Sequence, residues 1–279
     1  MSEPHPAIVR SEEQAENVNP PESAPPAGPE TAASEEDRAV EREIARKTRR
    51  SLLAGGAAAL AGLAGWEWLR TRRADDDVQW PLRLALRANE QLTRDYFRDT
   101  RLAPTFSEAD IEAPRRNGDY GLDGDVDPNW QLQVDGAGDD TVSLSLADIK
   151  SLPKIEMITE FKCIEGWSRI LKWGGVRFRD FAAKWGPKDL APSSYVSLDT
   201  PDSEYYVGLD AASAMHPQTL LAYELNGKAL PMENGAPLRL VIPLKYGVKN
   251  LKRIGRIEFT DRRPADYWAE RGYDWYAGF

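Results

Sequence analysis

Cysteine occurs once and histidine twice among the 279 residues of this chain. The single cysteine, Cys163, excludes an intramolecular disulfide framework and any metal site built from several thiolates. His5 stands near the N-terminus and His216 just before Pro217. No histidine cluster for zinc exists, and a Ser-His-Asp set would have to use His216. A basic tract is also missing. The formal net charge is -9, and no run of cations is large enough to neutralise a run of phosphates, which excludes nucleic acid as the main partner. Aromatic residues are absent from residues 1–48 and β-branched ones are few, while Pro, Ala and Glu abound. Such a segment buries too little apolar surface to offset the entropy of ordering, so it reads as a disordered acidic leader.

The next stretch carries an address. Residues 49–73 begin with Arg49 and Arg50, continue through Ser51, Leu52 and Leu53 into a mild run of Ala and Gly, and offer small residues such as Ala59, Ala61 and Ala64 for cleavage. That order is the one of a twin-arginine export signal. The alternative is a membrane helix: Leu52 to Leu69 approaches the roughly 20 residues that span a bilayer, although its glycines and Glu67 weaken it. Basic residues on both sides leave its orientation poorly fixed. Export to the periplasm or to the outer face of the cytoplasmic membrane is expected, with the signal cut or kept as an anchor. Because this route largely carries proteins that fold before crossing, a cofactor becomes the first thing to expect.

Residues 80–279 read as one catalytic domain of class α+β, with mixed or antiparallel sheets and short helices. An amphipathic helix is expected over 82–98, with Leu82, Leu86 and Leu92 on its apolar face. Strands follow within 130–144, then a short helix over 145–152 and a strand over 154–163 that delivers Cys163 at its end. A helix is expected over 175–186 with Phe178, Phe181 and Trp185 buried, a strand over 193–200, and a short helix over 209–217 stopped by Pro217. Asn226-Gly227 between two extended runs is a strong hairpin signal. Strands over 236–243 and 254–261 complete the pattern, and no βαβ rhythm appears.

Between the last two strands a glycine-bearing loop offers Lys245, Lys249, Lys252 and Arg253 with Tyr246 and Gly247. Clustered cations and a backbone free to approach a ligand suit an anion; a solvated basic hairpin tip is the bland alternative. Asn234 and Arg239 lead straight into that loop. Cys163 by itself admits three readings: buried filler, a nucleophile with His216 as its base, or a soft thiolate ligand to a metal whose other ligands come from a carried cofactor.

The block from Ala214 to Asp261, together with "EFKCIEGWS" around Cys163, resembles the sulfite oxidase superfamily of molybdopterin enzymes. It is most similar to the branch containing the catalytic subunit of the bacterial periplasmic protein-methionine-sulfoxide reductase. The resemblance implies the fold of that superfamily and Mo-molybdopterin as cofactor, with Cys163 as the protein ligand to molybdenum. It also implies that Asn117, Tyr120, Thr200, Asn234, Arg239, Gly247, Val248 and Lys249 hold the pterin and its phosphate, and it puts Glu165 near the metal. For Glu165 a salt bridge to Lys162 or Arg169 is the alternative. Sulfite oxidases proper follow the cysteine with paired arginines; here Ile164, Glu165, Gly166, Trp167 and Ser168 follow, which turns the expectation from sulfite towards a sulfoxide, small or protein-bound. A sulfite or other oxyanion oxidoreductase, and a cofactor-free binding protein on the same fold, are the rivals. The resemblance further implies a monomer served by a separate electron carrier, such as a membrane haem b protein. The aromatic tail, Tyr267, Trp268, Tyr273, Trp275 and Tyr276, is expected to pack back over the domain, with docking of that carrier as the alternative.

Overall fold

The computed structural model describes residues 34–75, 78–116, 118–119, 122, 127–136, 141–192 and 194–279. Two units are distinguished, Met1–Ala64 and Gly65–Phe279. The first contributes most of α1 (Glu35–Arg70), whose residues are almost all exposed. The helix therefore takes in residues 35–48, read from composition as disordered leader; residues 1–33 lie outside the described residues. Its start has a local cause: the Ser34 hydroxyl accepts from the Asp37 amide at 3.1 Å while the Asp37 carboxylate accepts from the Ser34 amide at 3.1 Å. Acidic residues in the first turn complement the helix dipole. By length and composition α1 could cross a membrane.

In the second unit a short ribbon of β1 (Ala74–Asp75) and β2 (Val78–Gln79) leads into α2 (Trp80–Tyr96). The orientation of α2 departs from the sequence expectation, which holds only for Leu86, half-buried beside Arg83 and Glu90. Leu82 and Leu92 are exposed, and the buried residues are Arg83 and Glu90. The reason is the surface it meets: Arg83 donates to the Ala269 carbonyl at 3.0 Å, and Glu90 accepts from Arg263 at 2.8 Å and forms an ion pair with Arg94 at 3.1 Å. Partnered charges win the inward face.

Two sheets make the body. One orders β10 (Lys228–Ala229), β9 (Leu220–Leu225), β6 (Ser168–Arg177) and β5 (Ile155–Lys162), with β11 (Arg239–Val241) also on β9. The other orders β4 (Val142–Leu144), β3 (Leu132–Asp135), β12 (Arg256–Thr260), β7 (Tyr195–Asp199) and β8 (Tyr206–Asp210). All pairs are antiparallel except β3 with β12, so the class is α+β with a mixed sheet. Asn226 and Gly227, both at positive φ, turn β9 into β10 as expected. Between the sheets lies a core of Leu132, Val134, Val196, Leu198, Ile257 and Phe259 from one sheet, with Val176, Leu221 and Leu240 from the other.

Three short helices cap the layers: α3 (Leu146–Lys150), α4 (Phe178–Trp185) and α5 (Ala211–Ala214). Phe178 and Phe181 of α4 are fully buried as expected, and Trp185 packs against them from a partly buried position. Besides the two-residue strands β1 and β2, the ten-residue β6 and the start of β8 escaped the sequence reading.

Candidate active site

Alternation along β5 points Met157, Thr159 and Phe161 inward, and Cys163, two residues on, continues the series at the strand's end. The five-residue connection to β6 closes on itself. Cys163 N–H donates to the Trp167 carbonyl at 2.9 Å, and Gly166 N–H donates to the Cys163 carbonyl at 3.1 Å. Gly166 has φ of +88°, a conformation that glycine adopts without penalty. Glu165 is held by the Trp167 indole, whose Nε1–H donates to its carboxylate at 2.8 Å. The alternative partners look elsewhere: Lys162 faces Glu160 at 3.6 Å and Arg169 faces Glu112 at 3.6 Å.

This loop forms one wall of a cleft. Cys163, Ile164 and Glu165 line it with Gly247, Val248, Asn250 and Lys252 from the glycine loop, and with Gly118, Tyr205, Trp268 and Tyr273. Gly247 opens the 3-10 turn Gly247–Lys249, which lies so close to β5 that an added Cβ would stand 2.8 Å from the Phe161 ring. Gly247→Ala is therefore expected to cost about 1–3 kcal/mol through forced displacement of Phe161 or the turn, read by thermal denaturation. Tyr205 reaches across and donates its hydroxyl to the Val248 carbonyl at 2.6 Å. His216 is remote in its contacts, packing on Phe97 and lying 3.2 Å from the Arg101 carbonyl. None of the groups acting on the Cys163 thiol is a histidine, so the dyad reading of Cys163 finds no support.

Burial pushes the Cys163 thiol above its ordinary range; the Ile164 and Glu165 amides oppose this and the Glu165 carboxylate adds to it. A thiol in such a place is a poor free nucleophile, whereas a bound cation of high charge would strip its proton.

Deeper lies Arg239, fully buried. Its guanidinium donates to the carbonyls of Asn234 at 2.9 Å and Asn250 at 3.1 Å and stacks over the Trp173 ring at 4.8 Å. Among the described residues no carboxylate pairs with it, and burial alone pulls its pKa down to about 9. Nearby, the Asn234 side-chain oxygen is buried without a hydrogen-bond partner. A cation without its counter-charge and an orphaned acceptor are what a ring N–H and a phosphate of a bound pterin would satisfy. The residues present fit Mo-molybdopterin.

Lys252 sharpens the point. Its ammonium donates to the Gly118 carbonyl at 2.9 Å, and burial, with Arg239 nearby, lowers its pKa to about 7. The unfolded chain binds this proton up to about pH 10.4. The stability contribution is then fully present above that value and is lost as pH falls towards 7. An anion that pairs with the ammonium reverses the shift and takes up a proton. Cofactor-free protein should accordingly gain thermal stability between pH 7 and 10, a gain that Lys252→Met flattens, and the loaded form should show less of it.

Two expected donors sit differently. Lys249 is buried away from the cleft, donating to Asp266 in a very close ion pair and to the Gly208 carbonyl at 2.9 Å. Lys245 is likewise interior, donating to the Tyr276 carbonyl at 2.8 Å. Neither ammonium lines the cleft, and neither does the side chain of Asn234 or Arg239; the two lysines are held by interior partners of their own. Thr200 does not line it either; its hydroxyl accepts from the Tyr205 amide at 3.1 Å and donates to Asp202 at 2.5 Å, so it acts on the turn that sets Tyr205. Asn117 and Tyr120 lie outside the described residues, although Gly118 beside Asn117 is on the cleft wall. Sequence reasoning named Lys252 within the basic glycine loop but missed Tyr205 and Asn250 as wall residues, and it gave Trp268 and Tyr273 no place on the wall. The aromatic tail was visible, and it packs inward: Tyr267, Trp275 and Tyr276 are buried.

Residues 121–268 match the model of the oxidoreductase molybdopterin binding domain. A candidate protein-methionine-sulfoxide reductase subunit, YedZ1, from Azospira oryzae is 35% identical over 82% of this chain and 86% of its own. The protein-methionine-sulfoxide reductase catalytic subunit MsrP of Ralstonia nicotianae is 33% identical over 79% of this chain and 71% of its own. MsrP of Campylobacter jejuni is 37% identical over 53% of this chain and 56% of its own, so against that relative the chain spans about half the length. Among solved structures, the sulfane dehydrogenase SoxCD from Paracoccus pantotrophus aligns over 59% of this chain and 46% of its own at 17% identity and a TM-score of 0.44, too partial a likeness to place residues. With a domain match over half its length and a buried thiol, cation and amide that suit the cofactor, this chain belongs to the family of oxidoreductases with a molybdopterin-binding domain.

Proposed function

We propose that the chain is the catalytic subunit of an exported reductase that takes oxygen from the sulfoxide of methionine, free or in a protein. Two protons and two electrons convert the sulfoxide to a thioether and water. Mo-molybdopterin, when bound, supplies the two-electron oxygen-atom chemistry. Asn234, Arg239, Gly247 and Val248 would hold it, Cys163 would ligate the metal, and Thr200 would act through Tyr205. Asn117 and Tyr120 belong to the same proposal.

The observation that carries the substrate reading is the Cys163–Trp167 loop. It brings a carboxylate, fixed by an indole, to the wall where sulfite chemistry would want paired cations. Ile164, Trp268 and Tyr273 give that cleft an apolar side suited to a neutral thioether rather than to an oxyanion. The names of the relatives agree. Electrons would come from a separate carrier, with a membrane haem b protein as the form proposed, and delivery would use the twin-arginine signal at Arg49 and Arg50.

Steady-state assays of the loaded enzyme with methionine sulfoxide and a reduced dye, against sulfite and an oxidised dye, test this. Turnover of sulfite alone would overturn the substrate; binding without turnover of either would point to the cofactor-free rival.

A further inference from the structure

The second feature that needs a function is the outward face of α2. The helix presents its partnered charges to the protein and its large apolar side chains to solvent: Leu84 is 50% exposed, Leu92 68% and Tyr96 67%. With Ala88 between them these residues recur every four positions, which places them along one side of the helix. Trp80 and Leu82 add further exposed apolar surface at its start, and Leu102 adds more just beyond its end. Single exposed leucines are ordinary; a row of them on one helix is an interaction surface.

Three observations say what covers it. Cations dominate the stretch from Trp80 to Arg101, with Arg83, Arg87, Arg94, Arg98 and Arg101 against Glu90, Asp95 and Asp99. Of these, Arg87, Arg98 and Arg101 are exposed together with Asp95 and Asp99, which leaves the exposed side cationic by one charge. Aromatic residues mark both ends, Trp80 and Tyr96, and the Arg101 guanidinium stacks 3.6 Å from the Tyr96 ring centre. Trp and Tyr with flanking arginines are the side chains that settle where lipid headgroups meet acyl chains. The third is continuity. α1, long and apolar enough to cross a membrane, carries Trp66 and Trp68 in its last turns and ends at Arg70, and α2 begins ten positions later. That connection spans at most about 35 Å when fully extended.

We propose that α2 lies on an anionic lipid bilayer, with Leu84, Ala88, Leu92 and Tyr96 entering the headgroup boundary and the arginines pairing with lipid phosphates. A tether this short keeps α2 at high effective concentration near the surface whenever α1 remains attached. Neither the cofactor nor the substrate enters this inference, so its failure leaves the proposed activity untouched.

The test uses the full, loaded chain carrying Leu92→Cys labelled with an environment-sensitive dye. Cys163 is buried and stays unlabelled. A second protein carries the dye at Arg262→Cys, an exposed position off α2. Each is reconstituted into vesicles of phosphatidylglycerol and phosphatidylcholine. The dye at 92 should shift to the blue and lose about half its emission to a shallow lipid-borne nitroxide, since interfacial helices sit at that depth; the dye at 262 should do neither. Adding Leu84→Glu and Tyr96→Glu should abolish the shift while molybdenum content stays constant. A dye at 92 that remains as wet as that at 262 overturns the proposal. So does a shift seen only after membrane proteins are added, because it would assign the face to a protein instead.

Discussion

Cys163→Ser should lower turnover of the loaded enzyme by more than about 100-fold, the upper end of what loss of a supporting residue around a metal costs. Serine keeps the shape of the side chain, so the hairpin connection with its Cys163-to-Trp167 and Gly166-to-Cys163 bonds should survive. What changes is the donor. A hydroxyl holds its proton far more tightly than a thiol and is a hard ligand where a soft one is wanted. The pterin contacts proposed for Asn234 and Arg239 lie outside the change, so on that proposal the variant should retain most of its pterin while losing rate. Pterin fluorescence after acid release, measured beside steady-state turnover, separates the two. If turnover stays within a few-fold, Cys163 is only a core residue and the site reading fails.

Lys249→Met should cost about 3–5 kcal/mol of stability, the range for removing one partner of a buried ion pair. Lys249 and Asp266 are 1% and 3% exposed at their side chains, so the orphaned carboxylate cannot turn to water. The double variant Lys249→Met with Asp266→Leu should recover much of that loss, because an apolar pair of similar volume in the same space leaves no charge behind. Denaturant unfolding of the three proteins measures both numbers. The cofactor content of whatever fraction folds should be close to normal. A large fall in pterin content with stability intact would instead restore Lys249 as a phosphate donor.

The elements most legible in the sequence were those with one rule and no competitor. Asn226-Gly227 announced its hairpin, and the alternation of residues 154–163 announced a strand with Cys163 at its end. Where reading failed, a tertiary partner had outvoted the local pattern. Leucines on α2 suggested its inner face, yet Arg83 and Glu90 took that face because Ala269 and Arg263 supply partners that sequence spacing cannot show. β6 went unseen because the helix expected over 175–186 claims its last three residues, and Gly174 and Gly175 are poor residues for a strand interior. They mark instead a shift in register against β9, at a point where an added Cβ on Gly175 would stand 2.3 Å from the Leu221 carbonyl oxygen.

The site divides the same way. Of the described residues that the resemblance singled out, Cys163, Glu165, Gly247 and Val248 line one cleft, while Thr200, Asn234 and Arg239 do not. Lys249 did not, because a lysine near a glycine loop looks alike whether it faces a phosphate or Asp266. Lys252, three positions on, takes the wall position. Trp268 and Tyr273 were conspicuous as aromatics, but only the path of the tail puts them opposite the cysteine.

The parallel pairing of β3 with β12 has a consequence for how the protein is made. Beyond its hairpin partner Ser143, Gln133 pairs with Arg256, and β12 also separates β3 from β7. During synthesis the β3–β4 hairpin must therefore wait beside an open edge until the ribosome has released residues 256–260. The cleft waits longer still, for Trp268 and Tyr273. The cleft wall is therefore complete only after residues 268–273 are made, and the hairpin's unpaired edge in the interval is where a holding chaperone would have most to protect.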